Sequence, residues 1–270
     1  MKLNKITVKA NAKLNLFLDI IGRRGDGYHD ILTTMCLIDL ADDVSVTVGN
    51  GNGISVTCDD SGISENTAYK ATSLFLAKAG VRRDVNISIN KKIPVMAGLG
   101  GSSADAAAVL YALNALFGEP LTLEELMKTG AEIGSDVPFC IHGGFALCKS
   151  TGTEIAETFP LLDCVFVIVK PDFCCSSKEA YALYAKNSVP RVQWRGEGHL
   201  YNVFEELYAN SEIAEIKREL TALGASGAGM TGSGSAVFGI FKNRREANKA
   251  FESLKYRKKF TAVPVQRPPT

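Results

Sequence analysis

The sequence predicts an α+β protein built as two domains, 1–155 and 156–270. A length of 270 residues exceeds one ordinary domain, and a hydrophobic content of 46% is enough to fill two cores. The first half reads as a run of strands followed by helices gathered around a glycine turn. The second half opens on an apolar strand, Cys164 to Val169, and closes on helix, strand, helix, strand, a two-layer α+β unit.

The totals exclude several classes. Thirty basic against 29 acidic residues leave a formal charge of +1, so no overall field draws the chain to nucleic acid or an anionic membrane. Any phosphate binding must be local. No apolar run approaches the roughly 18 residues of a membrane span, and Met1 to Val8 lacks an apolar signal core, so a cytoplasmic protein is expected. The seven cysteines are odd in number, form no Cys-x-x-Cys pair and mostly sit in apolar segments, which suits small core residues better than disulfides or metal ligands.

Taken in order, Ile6 to Ile21 reads as extended, with Leu14, Leu16 and Leu18 on one face and Lys13 and Asn15 on the other. A half-exposed polar strand face would account for the last two. Gly22 to Asp30 is a turn whose adjacent Tyr28 and His29 suit a ring-shaped ligand, or form the exposed tip of an ordinary hairpin. Strands over 31–38, 44–48 and 54–58 suggest a meander. A helix opens at Glu65-Asn66-Thr67, runs to Lys78 and closes at Gly80. A strand from Val85 to Ile93 follows.

The chain then enters Pro94-Val95-Met96-Ala97-Gly98-Leu99-Gly100-Gly101-Ser102-Ser103 and an alanine-rich helix to Leu116. Glycines 98, 100 and 101 allow a tight turn and close approach of a ligand, and Ser102 or Ser103 can cap the helix. The unpaired N–H groups of a helix start bind phosphate through backbone alone. The stretch is a phosphate cradle, or a loop that only packs strand against helix. A short helix over 123–133 ends at Gly134-Ser135-Asp136-Val137-Pro138, where Pro138 forbids its continuation. Asp136 is either a turn or capping aspartate or a catalytic carboxylate in a partly dry pocket.

In the second half, Ser176 or Ser177 caps a helix through Tyr181 to Lys186, and a polar segment holding Trp194 and His199 follows. Helices are expected over 213–223 and 244–254 and strands over 236–241 and 260–265. Gly227-x-Gly229-x-x-Gly232 matches the dinucleotide fingerprint, but a helix precedes it and a strand follows, the reverse of what that site needs. A second anion site or a flexible hairpin remains. There is no Walker loop.

The ordered set of Ala12-Lys13-Leu14-Asn15, Gly25-Asp26-Gly27-Tyr28-His29, the cradle from Pro94 to Ala108, Gly134 to Pro138 and Thr231-Gly232-Ser233-Gly234 resembles the GHMP kinases over nearly the whole chain. The Lys13 setting, the Gly-Tyr-His turn and the Ser-Asp-Val-Pro run are most similar to members that phosphorylate a cytidine diphosphate alcohol in non-mevalonate isoprenoid synthesis. The resemblance implies a ribosomal-S5-like N-terminal domain, a ferredoxin-like C-terminal domain, and ATP and a small-molecule acceptor in the cleft between them. It implies Asp136 as the base, Lys13 as the cation beside it and Asn15 near the transferred group. Tyr28 would stack on the cytosine with Tyr181 on its other face, and His29 would read the ring edge. Asn66 and Lys91 would border the adenine, while Pro94 and Met96 to Ser103 would wrap the phosphates, with Mg²⁺ accompanying ATP. In one departure, the family commonly reads Gly-Gly-Ser-Ser-Asp where this chain has Gly101-Ser102-Ser103-Ala104-Asp105. The rivals are a GHMP kinase for homoserine, mevalonate or a sugar, and an S5-like RNA-binding module, which the charge balance disfavours.

Overall fold

A computed structural model of the chain describes residues 4–59, 67–187, 189–208 and 211–266. Its first sheet is built on two long antiparallel strands, β1 (Lys5–Arg23) and β2 (His29–Gly49), paired from Lys5↔Thr47 to Arg23↔His29. The break expected between residues 38 and 44 does not form. Ala41 and Asp42 pair with Asn11 and Ala10, so the cross-strand ladder carries the chain through a segment of low strand propensity. Register shifts at Asn11/Lys13 and Asn15/Phe17 mark bulges, which re-aim the side chains between them.

Nor is the sheet a meander. β3 (Ile54–Cys58) and β4 (Asp84–Asn90) are parallel, joined through α1 (Thr67–Lys78), because parallel neighbours need a crossover rather than a tight turn. β4 ends at Asn90, short of the expected Ile93. α2 (Gly101–Leu116) is buried almost all round, as its Ala-, Val- and Leu-rich sequence requires. α3 (Leu123–Ile133) starts at a Thr122–Glu125 capping box. Pro138 does end α3's reach, but it also lies in the first turn of an unforeseen helix, α4 (Val137–His142), where a missing N–H costs no helical bond.

β5 (Phe145–Lys149) and β6 (Glu154–Phe159) form a hairpin against β2, so a division at residue 155 cuts through a strand of the first sheet. There follow β7 (Val165–Val169), α5 (Ser177–Lys186), β8 (Tyr201–Asn202), α6 (Val203–Leu207), α7 (Ser211–Ala222), β9 (Gly227–Met230), β10 (Val237–Phe241), α8 (Arg244–Ser253) and β11 (Lys259–Ala262). β11-β7-β10-β9 is an antiparallel sheet in the βαββαβ arrangement of a ferredoxin-like unit. The glycine run thus contains a strand, β9, which pairs antiparallel with β10 across a largely buried turn, so a hairpin forms there as expected. β8 pairs in parallel with β1 at Phe17↔Tyr201, and Leu18, Ile20 and Ile31 join the apolar cluster of the second half.

All seven cysteines are free, and the described residues hold no cluster of His, Cys, Asp and Glu able to bind a metal by itself. No helix among them is long and apolar enough to cross a membrane.

Candidate active site

A cavity of about 910 Å³ opens between the bulged middle of β1, the 27–29 turn, the 94–103 stretch, the start of α5 and Gly232-Ser233. Lys13 enters it from β1 and is only 3% exposed, so the half-exposed polar face is not what forms. A buried ammonium needs partners. Its Nζ donates to Asn15 Oδ1 and lies 3.3 Å from Asp136 Oδ2, and the Lys13 N–H donates to Leu99 O at 3.0 Å. Asn15 is fixed in turn by donating from Nδ2 to Thr33 Oγ1, 2.8 Å away. Asp136 precedes α4, but its carboxylate accepts no helix N–H; the capping reading fails, and the side chain, 30% exposed, faces Lys13 and the cavity.

The 94–103 stretch meets this pair directly. Gly100 has φ of +72°, and a Cβ there would lie 2.9 Å from Lys13 Cγ and 3.6 Å from Asp136 Oδ2. Gly100 is also the N-cap of α2, in the left-handed region, which a side-chain cap in extended backbone cannot replace. Ser102 and Ser103 therefore fall inside the first turn and cap nothing, contrary to expectation. The N-cap gives the first-turn N–H groups no side-chain acceptor, and Gly101 to Ser103 line the cavity. Met96 adopts φ of +54°, uncommon for a residue with a Cβ, at the cavity rim.

The Thr231 to Ala236 turn backs this stretch, and its Gly232 and Ser233 line the same cavity. Ala236 N–H donates to Ala97 O at 3.1 Å, and Thr231 Oγ1 donates to Gly98 O at 3.3 Å while accepting the Asn15 N–H at 2.9 Å.

Lys91 lines the cavity, but its Nζ is held 2.5 Å from Asp42 Oδ2 and 2.7 Å from Asp105 Oδ2, with the side chain 6% exposed. Its charge is thus spent inside the protein. Burial pushes the Asp105 carboxyl up to about 7 despite the nearby Lys91 ammonium. The second Asp42 oxygen accepts the Lys92 and Ile93 N–H groups, so this triad anchors the chain just before Pro94.

At the other end of the cavity Tyr28 stands 62% exposed. His29 stacks on Tyr181, with ring centroids 5.1 Å apart and planes 20° from parallel, and Tyr181 meets Phe204 edge-on at 4.9 Å. Tyr181 thus packs on His29, and both Tyr28 and Tyr181 line the cavity. Burial lowers the His29 pKa, with Arg23 acting in the same direction. Asn66 lies outside the described residues. Sequence reasoning missed Thr33, Asp42, Asp105 and Thr231 as members of this arrangement; Asp105, at the end of the glycine–serine stretch, and Thr231, in the later glycine run, lay in motifs that could have signalled them, whereas Thr33 and Asp42 did not.

Two family models match the chain, the N-terminal domain of GHMP kinases over residues 66–144 and the C-terminal domain over 202–259. A Clostridium botulinum protein named 4-diphosphocytidyl-2-C-methyl-D-erythritol kinase is 39% identical over 269 residues, covering 92% of this chain and 95% of that protein. The chain belongs to the GHMP kinases. It is accordingly an ATP-dependent small-molecule kinase with the two-domain fold of that family. A Clostridium acetobutylicum GHMP kinase of the same name is 39% identical over 281 residues, covering 97% and 99% of the two chains. Among solved structures, a 4-(cytidine 5'-diphospho)-2C-methyl-D-erythritol kinase superposes with a TM-score of 0.80 at 30% identity, covering 96% of this chain and 98% of that one. A homoserine kinase from Cytophaga hutchinsonii, at TM-score 0.77 and 19% identity over 99% and 97% of the chains, shares the fold alone.

Proposed function

We propose that this kinase transfers the γ-phosphate of ATP to a hydroxyl of 4-diphosphocytidyl-2-C-methyl-D-erythritol, giving the 2-phosphate, as a step of non-mevalonate isoprenoid synthesis. The observation that carries the chemistry is the Lys13–Asp136 pair, 3.3 Å apart, set against Gly100 where the uncapped start of α2 opens. Phosphoryl transfer through a loose transition state asks mainly for positioning and neutralisation of charge. The α2 start and the backbone of 96–101 hold the triphosphate. Asp136 orients the acceptor hydroxyl and takes its proton as the bond to the γ-phosphorus forms and the bond to the β-phosphate oxygen breaks, releasing ADP. Lys13, held by Asn15, fixes Asp136 and the hydroxyl and counters the charge on the transferred group.

Mg²⁺ fits the donor set as a passenger of the nucleotide. Magnesium typically keeps its waters and binds substrate phosphates with one or two protein oxygens, so a site without a preformed acidic cluster suits it. Ser102 or Ser103, which both line the cavity in the first turn of α2, would supply a protein oxygen for it. When bound, the ion neutralises phosphate charge.

The cytidine end belongs to the aromatic rim. Tyr28 offers an exposed face for stacking, His29 in its neutral form presents one donor and one acceptor to a ring edge, and Tyr181 supports His29 from behind. Lys91 borders the adenine side through its stem. A coupled assay with ATP, Mg²⁺ and this acceptor beside homoserine, mevalonate and simple sugars tests the reading. Turnover confined to the cytidine-bearing alcohol is expected; turnover of the simple alcohols instead, or salt-dependent RNA binding with no turnover, would overturn it.

A further inference from the structure

We propose that Asn202, which does not line the cavity, is a positioning residue for the nucleotide site. Asn202 ends β8, is 4% exposed and lies beside Leu18 of β1. Its Oδ1 accepts the Phe204 N–H at 2.9 Å, capping α6. Its Nδ2 donates to Met230 O and to Gly232 O, both at 2.8 Å. Both amide protons are used and both bonded carbonyls need donors, so the orientation of the amide is fixed by its partners.

The two carbonyls flank Thr231. Its hydroxyl joins the Asn15 N–H of the catalytic strand to the Gly98 carbonyl of the cradle, and the Gly232 backbone lies directly against Gly98. Glu205 holds the same residue by accepting the Met230 N–H at 3.0 Å. One buried amide in the second half of the chain thus determines where the Thr231 hydroxyl sits, and through it which way the Gly98 peptide faces. With Gly98 O held toward Thr231, the neighbouring N–H groups are left to turn toward phosphate. On the catalytic strand the link ends at the backbone N–H of Asn15, whose side chain is held separately by Thr33, whereas in the cradle it acts on the Gly98 peptide itself, so nucleotide binding should suffer more than the chemical step.

The inference rests on the kinase reading, and two substitutions separate it from a purely structural role. Asn202→Asp keeps an oxygen for the Phe204 N–H, and aspartate is a good N-cap, but it sets a carboxylate against two carbonyls. Asn202→Ala removes the cap and both donations. With wild type measured in parallel, both variants should raise the KM for ATP about tenfold or more, the scale of leaving buried carbonyls unpaired. Their kcat should stay within about threefold, and the KM for the cytidine acceptor should stay near the wild-type value, because stacking at Tyr28 does not pass through this turn. An Asp variant with wild-type KM for ATP beside an impaired Ala variant would reduce Asn202 to a helix cap and overturn the proposal. If Asn202→Asp melts early, Thr231→Val and Thr231→Ser read the same link from its other end. The Val variant should show the rise in ATP KM and the Ser variant should restore it; equal behaviour of the two overturns the proposal. Wild-type protein that fails to bind ATP would instead remove the kinase reading beneath it.

Discussion

The backbones of Gly98 and Gly232 lie in direct contact: a Cβ on Gly98 would sit 2.2 Å from Thr231 O, and a Cβ on Gly232 would sit 2.8 Å from Gly98 O. Gly98 also has φ of +75°, a conformation that side chains rarely adopt. Gly98→Ala therefore combines backbone strain with a backbone clash, and the turn and the cradle must separate. We expect loss of ATP binding in titrations and a cost of about 2 kcal/mol or more in chemical denaturation. A variant with native ATP affinity would mean the contact is dispensable.

Asp136 does not cap its helix, so replacing it should spare the fold. Asp136→Asn is expected to lower kcat by about 10²-fold or more while ATP affinity and melting temperature stay near wild type. Near-normal turnover would exclude it as the base.

Lys13 is buried while its partner Asp136 keeps contact with solvent, so removal of the lysine leaves no sealed-off carboxylate. Lys13→Met should fold, bind nucleotide and turn over at least about tenfold more slowly, since a charge that acts on the transferred group is gone. The check is kcat beside a thermal melt; an early melt with normal kcat would make the residue structural.

Tyr28 is exposed, so truncating it costs the fold little. Tyr28→Ala should raise the KM for the cytidine-bearing acceptor by about tenfold, the scale of an aromatic stacking contact, and leave the KM for ATP alone. An unchanged acceptor KM would remove the stacking role.

The Asp105 carboxyl, raised by burial from 3.8 to about 7, makes stability depend on pH. Between these values the folded state binds a proton that the unfolded chain has released, so stability falls as pH rises. Asp105→Asn removes that titration. Wild type should therefore lose melting temperature relative to the variant between about pH 4 and 7. A constant difference between the two across that range would show that Asp105 stays ionised beside Lys91.

Much of the fold was legible because its signals are local. The helix over 123–133, the helix ending before Gly80, and the strand–turn–helix order around the cradle follow from periodicity and from turn residues a few positions apart. Where the sequence misled, a tertiary contact had won. Ala41 and Asp42 stay in a strand because β1 pairs with them, Pro138 begins a helix as well as closing one, and the serines after Gly101 cap nothing because Gly100 already turns left-handed.

By itself the sequence determined the α+β class and the glycine turn that leads into α2, since these are written in neighbouring residues. Only the tertiary structure decided that Lys13 is buried against Asp136, that Lys91 is neutralised by Asp42 and Asp105, and that Thr231 backs the cradle. The physical reason is that burial and charge pairing depend on which distant segments the folded chain brings within a few ångströms, and distance along the chain carries no record of that.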